Sequence, residues 1–268
     1  MLKIGMRHIP SSINEKELTD MYAAGLRVVE FGIFSEPEKF DFEEKYNIAT
    51  KCNIEVTSCH LPYKNESHLV QKEKAARARA LEIDRDLINK ATAVGINRFV
   101  LHPSTLLDPE IERTDCKKYS MDALDNLAEY AYAKGAVIAV EDMIVECLGN
   151  CADELAELIS VNDKLRICFD VNHILKNTHL EFIEKFKEKI VTVHISDYDR
   201  ICERHWLPGE GVIDFHELYT KLIQVGYSGP WMYEIGLAKN SKRSRDLTYT
   251  DVYNNAMEIF EGKKLTVY

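Results

Sequence analysis

The sequence has no hydrophobic run that approaches the roughly 18 consecutive apolar residues needed to span a membrane. Its first residues, MLKIGMRHIPSS, also lack the long apolar segment and the small-residue cleavage site of a secretory signal peptide. The seven cysteines are odd in number and include no CxxC pair, which is more typical of reduced thiols than of a disulfide framework. We therefore expect a cytoplasmic protein with no membrane partner.

The chain also lacks an excess of basic residues and a dinucleotide motif. Asp and Glu number 44 against 34 Lys and Arg, which gives a net charge of −10. Nucleic-acid binding depends on Lys and Arg side chains that displace phosphate counterions. No GxGxxG follows the first predicted strand, which argues against a dinucleotide-binding fold. These absences favour a small-molecule partner over a nucleic acid.

What the sequence does contain is a regular alternation of short β-branched runs with longer segments of helical apolar spacing. The predicted strands are Lys3–Met6, Val28–Ile33, Ile54–Cys59, Arg98–Leu101, Val137–Val140, Arg166–Phe169, Ile190–Ile195 and Trp231–Ile235. The predicted helices are Glu15–Ala24, Phe42–Lys51, Val70–Val94, Asp115–Ala133, Ala152–Val161, Leu180–Lys187, Phe215–Val225 and Thr248–Glu261. Several helices end at a glycine that can adopt the left-handed cap conformation: Gly25, Gly95, Gly135 and Gly226. Eight strand–helix units without a linker predict a single α/β domain over residues 1–268, a (β/α)8 TIM barrel.

In such a barrel the active site lies at the C-terminal ends of the strands. Nearly every predicted strand stops at a histidine or an acid, and the last four strands end at Glu141, Asp170, His194 and Glu234. Because about one strand–helix unit separates each from the next, closing the barrel brings all four around one point. Three carboxylates gathered there repel one another unless a cation is present. Three carboxylate oxygens and one imidazole suit one divalent metal ion such as Mn²⁺, Mg²⁺, Co²⁺ or Zn²⁺.

Taken singly, each of these residues could instead be a helix cap, a strand-end acid or a satisfied core histidine. The roles of the residues at the other strand ends also have more than one interpretation. His60 and His102 could extend the site to a second metal, bind substrate, or pack against the prolines that follow them. Glu30 is more typical of a structural acid that orients a neighbour, and His8 could line the floor of the site.

The loop after strand seven, DYDRICERHWLPGEGVIDF, holds further candidates. Arg200 could neutralise or orient a substrate oxygen, and His205 precedes a Pro-Gly turn that allows backbone to approach a ligand. The alternative is a charged, solvated loop, and Asp214 is predicted to cap the next helix. The basic run KNSKRSR, residues 239–245, could hold a substrate phosphate. For that run we favour a solvated surface loop.

The motifs VLHPS, VEDM, FDVNH, VHISD and LPGEG.IDF, followed by GYSGPWMYEIG, resemble the xylose isomerase-like barrel superfamily. The likeness is nearest to the sugar phosphate isomerase/epimerase group, which includes ketose 3-epimerases and hydroxypyruvate isomerases. It spans nearly the whole chain. Six motifs in order indicate the superfamily, but they do not indicate a substrate.

The resemblance implies roles for individual residues. Its metal ligands would be Glu141, Asp170, His194 and Glu234, with Mn²⁺ the favoured ion. Glu141 and Glu234 would also form the acid–base pair of a ketose epimerase. His173 and Arg200 would contact substrate oxygens. We add His60, His102 and His205 as further candidate substrate contacts.

The implied activity is a divalent-metal-dependent isomerisation or epimerisation of a sugar or sugar phosphate. One carboxylate removes the proton next to the carbonyl, and the metal stabilises the resulting enediolate. A second carboxylate returns the proton to the opposite face or to the neighbouring carbon. Members of the group often pair through loops at the catalytic face, so the resemblance also implies a homo-oligomer.

Other activities stay open. An abasic-site DNA endonuclease of the endonuclease IV type would hold three zinc ions. The first would bind His60, His102 and Glu141, and the second would bind the four predicted metal ligands. The third would bind His173 with Glu203 and His205 of the ERH segment. Against it, glutamate stands in that segment where the family uses aspartate, and the acidic chain shows no basic, base-stacking loop. A metal-dependent lyase or dehydratase on a sugar-like substrate would share the first proton abstraction. A non-catalytic sugar sensor would leave the acid cluster without a purpose.

Overall fold

The computed structural model describes residues 1–34 and 36–268. Its parallel strands close into a barrel in chain order. The strands are β1 (Ile4–His8), β2 (Val28–Gly32), β3 (Glu55–His60), β4 (Arg98–Leu101), β5 (Val137–Glu141), β6 (Arg166–Asp170), β7 (Ile190–Ile195) and β8 (Trp231–Tyr233). The helices are α1 (Glu15–Ala24), α2 (Phe42–Lys51), α3 (Lys74–Ala93), α4 (Arg113–Tyr132), α5 (Ala152–Ile159), α6 (His179–Phe186), α7 (Phe215–Gln224) and α8 (Tyr249–Phe260). The prediction of a (β/α)8 barrel is confirmed.

Local sequence signals set the ends of these elements. Gly25, Gly95, Gly135 and Gly226 all adopt the left-handed conformation predicted for them, with φ between 72° and 108°. Asp214 caps α7, where its carboxylate accepts hydrogen bonds from the backbone N–H groups of His216 and Glu217. The cap residues read from the sequence therefore lie at the helix ends in the structure.

Two helix starts differ from the prediction by more than one residue. α3 begins at Lys74 rather than Val70, because the Val70 side chain is buried in the core and Glu73 is extended ahead of the first turn. α4 begins at Arg113, two residues before the predicted start. The first change shortens an outer helix and the second lengthens one. The strand ends agree with the prediction to within two residues.

Most of the buried apolar side chains lie between the strands and the surrounding helices in one large cluster. A second, small cluster of Val100, Ala139 and Cys168 fills the barrel interior. Charged and polar side chains occupy the strand ends above it. Among the helices described, none is both long and apolar enough to cross a membrane.

Candidate active site at the barrel mouth

The four predicted metal ligands meet at one point of the barrel mouth. Strand register places them there: Asp170 is directly opposite His194, and Glu141 is opposite Cys168, two residues before Asp170. All four side chains are buried. One potential ligand atom from each of Glu141, Asp170, His194 and Glu234 lies within 4.8 Å of the others. The structure thus brings together the four residues that the spacing argument had grouped.

His194 is the centre of this group. Its Nδ1 lies 2.8 Å from Glu234 Oε2, 3.2 Å from Glu141 Oε1 and 3.9 Å from Asp170 Oδ2. On the other side of the ring, Nε2 lies 2.9 Å from Glu30 Oε1. The Ser58 hydroxyl donates to the second oxygen of Glu30. Glu30 therefore orients the imidazole from behind, as a carboxylate partner does for a metal-binding histidine.

The electrostatics of the group fit a cation. Burial raises the pKa of Asp170 to about 7; the nearby His173 opposes this rise, and the charges of Glu234 and Glu141 add to it. Asp170 Oδ2 is buried and accepts no hydrogen bond from the described residues, and Glu234 Oε2 is buried against His194 Nδ1. Buried carboxylates that crowd one another in this way are stabilised by a divalent ion. The donor set of three carboxylates and one imidazole suits such an ion.

His60 and His102 contact the same group from the opposite side. His60 Nε2 lies 3.0 Å and His102 Nε2 3.2 Å from Glu141 Oε2. These two nitrogens and a Glu141 oxygen form a second cluster with metal-ligand spacing. Burial lowers the pKa of His102 to about 4, so this ring is neutral at physiological pH. The structure therefore places both histidines at the site, next to Glu141.

His173 and His205 share one carboxylate. Glu203 Oε1 lies 3.5 Å from His173 Nε2 and 2.5 Å from His205 Nε2. The opposite ring nitrogens donate to backbone carbonyls: His173 Nδ1 to Asp142 O at 2.7 Å, and His205 Nδ1 to Glu234 O at 3.0 Å. His60 follows the same rule, with Nδ1 donating to Leu61 O at 2.8 Å. Each of the three rings thus presents Nε2 to the mouth.

One charged residue of the site was missed in the sequence. Arg7, at the end of β1, forms an ion pair with Glu234 and stacks over the Phe34 ring at 4.8 Å. Its guanidinium also lies in the fields of Glu30 and Glu141. An arginine inside an otherwise buried strand was the available signal. By contrast, the predicted substrate contact Arg200 has an exposed side chain in the loop after β7.

The Tyr63 ring completes the wall next to Arg7. It stacks on His102 with ring centroids 4.0 Å apart, and it packs edge-on against Phe34. Tyr63 is only partly buried, so one part of its ring faces solvent. An aromatic surface of this kind can pack against the apolar face of a small ligand.

Five of the seven residues in the basic run at 239–245 are exposed, as expected of a solvated loop, but Arg243 is not. Arg243 is buried and paired with Glu210, and Arg245 forms a two-pronged pair with Asp251 at 2.7 and 3.0 Å. Both guanidinium groups are therefore engaged by carboxylates. The sequence could not reveal this, because each pairing depends on how the loops fold.

Known proteins with similar sequences include sugar epimerases. The chain is 25% identical over 193 residues to L-ribulose-5-phosphate 3-epimerase UlaE of Shigella flexneri, covering 70% of this chain and 67% of that protein. It is 27% identical over 223 residues to the uncharacterized protein MJ1311 of Methanocaldococcus jannaschii, covering 77% of this chain and 73% of that one.

Solved structures with the same fold carry related names. A D-tagatose 3-epimerase-like protein matches with a TM-score of 0.81 and 21% identity, covering 97% of each chain. The 3-keto-D-glucoside 4-epimerase YcjR of E. coli matches with a TM-score of 0.79 and 19% identity, covering 97% of this chain and all of the other. At these identities the likeness supports the fold.

The family model for the xylose isomerase-like TIM barrel matches residues 18–250, which is most of the chain and includes every predicted metal ligand. The resemblance read from the sequence motifs is therefore confirmed, as is the prediction of an enzyme. The chain belongs to the xylose isomerase-like TIM barrel family.

Proposed function

We propose that this enzyme is a divalent-metal-dependent isomerase or epimerase that acts on a sugar or sugar phosphate by removing a proton next to a carbonyl. The observation that carries the proposal is the buried cluster of Glu141, Asp170, His194 and Glu234, whose ligand atoms converge within 4.8 Å. The epimerase relatives support the same substrate class.

The proposed cation is held by those four side chains, with Mn²⁺ the favoured ion. When bound, it would supply Lewis-acid stabilisation of the negative charge that develops on a carbonyl oxygen. The buried oxygen Oδ2 of Asp170, which accepts no hydrogen bond from the described residues, supports this position for it. The identity and number of ions remain part of the proposal.

Glu141 and Glu234 are the proposed acid–base pair. Burial would raise the pKa of each carboxylate, but neighbouring groups hold it below its ordinary value. These groups are His194 and a contact with His102 for Glu141, and Arg7 and His194 for Glu234. The carboxylate that is ionised accepts the proton from carbon. The other must carry a proton when the substrate binds, and it returns that proton to carbon, so the two groups exchange protonation states in one turnover. Return to the opposite face gives an epimer, and return to the neighbouring carbon gives an aldose–ketose pair.

The histidines and one arginine are proposed substrate contacts. His173 and His205 present Nε2 beside the carboxylate cluster, where they can bind sugar hydroxyl oxygens. His60 and His102 do so from the opposite side of Glu141. Arg200, exposed in the loop after β7, would reach the substrate only at the rim of the mouth.

The second candidate is a zinc-dependent nuclease that cleaves DNA at abasic sites. Two arrangements favour it: the cluster of His60, His102 and Glu141, and the sharing of Glu203 by His173 and His205. The net charge of −10 opposes it, since binding to a phosphate backbone depends on cationic side chains. A sugar lyase or dehydratase would share the first proton abstraction of the leading proposal.

A direct comparison separates these activities. The metal-loaded protein is incubated in D₂O with a panel of ketoses and ketose phosphates, and in parallel with an abasic oligonucleotide. The proposal expects deuterium at the carbon next to the carbonyl together with an epimer or isomer, and an intact oligonucleotide. Strand scission without deuterium uptake would replace it with the nuclease, and an unsaturated or dehydrated product would replace it with the lyase. Chelator-treated protein is the control.

The remaining expectations are a cytoplasmic location and a homo-oligomer. The resemblance to barrels that pair through catalytic-face loops supports the oligomer. Light scattering of the purified protein tests it, with a mass of twice or four times 30.8 kDa expected.

A further inference from the structure

Two loops at the barrel mouth are joined by an ion pair that no solvent reaches. The β7 loop, residues 197–214, follows the ligand strand β7, and the β8 loop, residues 236–247, follows β8. Glu210 belongs to the first loop and Arg243 to the second, and each side chain is 1% exposed. A buried pair of this kind is costly in desolvation, so its geometry has to be well satisfied.

The pair is held by hydrogen bonds as well as by charge. A terminal nitrogen of Arg243 donates to Glu210 Oε2 at 3.1 Å. Arg243 Nε lies 3.0 Å from Glu210 Oε1, an ion-pair contact without the alignment of a hydrogen bond. The other terminal nitrogen donates to the carbonyl of Gly236 at 3.0 Å. Glu210 Oε2 also accepts from the backbone N–H of Leu207 at 3.0 Å. The pair thus ties backbone of the β7 loop to backbone two residues beyond Glu234.

The β7 loop is itself folded around a buried carboxylate. Asp197 accepts hydrogen bonds at 2.8 to 3.2 Å from five backbone N–H groups, those of Tyr198, Gly209, Gly211, Val212 and Ile213. A Cβ at Gly211 would overlap the Asp197 carboxylate and the Tyr198 carbonyl, so glycine is required there. The loop is therefore a rigid body whose position depends on what holds it from outside.

That rigid loop carries His205 to the acid–base cluster. The His205 backbone lies in the left-handed region, with φ of 50°, which a non-glycine residue adopts only when its surroundings hold it there. In this conformation its Nδ1 donates to the Glu234 carbonyl and its Nε2 contacts Glu203. A shift of the loop would break the contact with the Glu234 carbonyl, whereas Glu203 belongs to the same loop and would move with His205.

We propose that Glu210 and Arg243 are positioning residues that lock the β7 loop to the β8 loop and so hold His205 against Glu234. This inference rests on the proposed function, in which Glu234 transfers a proton. Misplacement of a supporting group by about 1 Å can slow catalysis by as much as roughly 100-fold. The pair acts through His205 and touches no reacting atom.

Four variants separate positioning from stability. Arg243→Met leaves Glu210 buried without its partner, and Arg243→Lys keeps the charge. Glu210→Gln/Arg243→Met removes both charges and so relieves the unpaired carboxylate. Arg245→Met is the matched control: it lies two residues away in the same loop and breaks the Asp251 pair, where the Arg245 side chain is 49% exposed.

Hydrogen exchange of residues 197–214 tests the lock without any substrate. We expect faster exchange, on the order of tenfold, in Arg243→Met and in the double variant, and wild-type exchange in Arg245→Met. Unchanged exchange in Arg243→Met, or equal acceleration in Arg245→Met, overturns the inference. Because the exchange measurement needs no substrate, it tests whether the ion pair holds the β7 loop in place even if the protein turns over no ketose. Absence of ketose turnover would count against the proposed function and not against this inference.

Kinetics test the link to Glu234. With a substrate in hand, Arg243→Met is expected to lower kcat by about 10- to 100-fold with little change in KM, and Arg243→Lys to restore part of it. In the double variant, thermal stability recovers while kcat stays low. In a His205→Ala background, Arg243→Met should add little further loss. If kcat recovers together with stability, or if the two losses multiply, the pair is structural only and the inference is wrong.

Discussion

The two halves of the barrel mouth carry opposite chemistry. Strands β5–β8 supply a carboxylate-rich set around one imidazole: Glu141, Asp170, His194 and Glu234. Strands β1–β4 and the loops that follow them supply mainly basic and aromatic side chains: Arg7, Phe34, His60, Tyr63 and His102. The exceptions are Glu30, which lies behind His194, and the two histidines His173 and His205, which belong to the loops after β6 and β7.

The difference shows how one mouth can be both a cation site and an ionised acid–base pair. Carboxylates of the β5–β8 half contact basic groups of the other half across the barrel, Glu141 with His60 and His102, and Glu234 with Arg7. These contacts limit the repulsion among buried carboxylates. The acidic half therefore holds the proposed ion, while the basic half sets the charge state and the wall of the cavity.

The largest expected effect comes from removing a carboxylate of the acidic half. Glu234→Gln keeps the shape and removes the proton acceptor, so turnover of any substrate should fall by at least about 10³-fold. The fold should survive, as measured by circular dichroism and thermal unfolding. Glu188→Gln, on the exposed outer surface, is the control and should retain full turnover. Full activity in Glu234→Gln would remove this residue from the mechanism.

A smaller effect is expected from the basic half. Arg7→Met removes the guanidinium that pairs with Glu234 inside the mouth. We expect a loss of roughly 10- to 100-fold in kcat/KM, because a buried carboxylate loses its ion-pair partner. Arg7→Lys should retain part of the activity. Arg27→Met, whose guanidinium lies over the Tyr22 ring at 4.2 Å away from the mouth, should not change it. Equal losses in the two methionine variants would mean that the effect is global.

The smallest effect concerns a histidine outside the mouth. This histidine is His179, whose pKa burial lowers to about 4. At the mouth, by contrast, the glutamate neighbours of His205 raise its pKa to about 9 against the effect of burial. His179 Nε2 donates to the Val171 carbonyl at 2.7 Å and has no carboxylate beside it in the part of the chain that the structure describes. Location relative to the acidic half thus decides the direction of the shift.

Linkage gives the sign of the pH effect. The unfolded imidazole of His179 titrates near its ordinary value of 6.5, so between pH 6.5 and about 4 the unfolded state binds more protons. Stability contributed by His179 is full above pH 6.5 and is lost as the pH falls towards 4. His179→Gln should flatten this part of the unfolding free energy by on the order of 2 kcal/mol, measured by denaturant titration at pH 7.5 and 5. An unchanged pH dependence would contradict the assignment.

The sequence predicted much of this comparison, but unevenly. The acidic half was found because Glu141, Asp170, His194 and Glu234 recur at strand ends, a pattern that depends only on chain order. The basic half was found only in part, because Arg7 is a single residue inside a strand and belongs to no recurring sequence pattern. The Glu210–Arg243 pair was missed because it joins two loops whose fold is set by tertiary contacts, mainly those of Asp197.

The central claim is that the acidic half holds one divalent ion. Metal analysis of the dialysed protein, with Asp170→Asn measured beside it, tests this most directly. The account predicts about one divalent ion per wild-type chain and a large loss of that ion in Asp170→Asn. No stoichiometric divalent ion in the wild-type protein, together with thermal stability that chelator leaves unchanged, would contradict it.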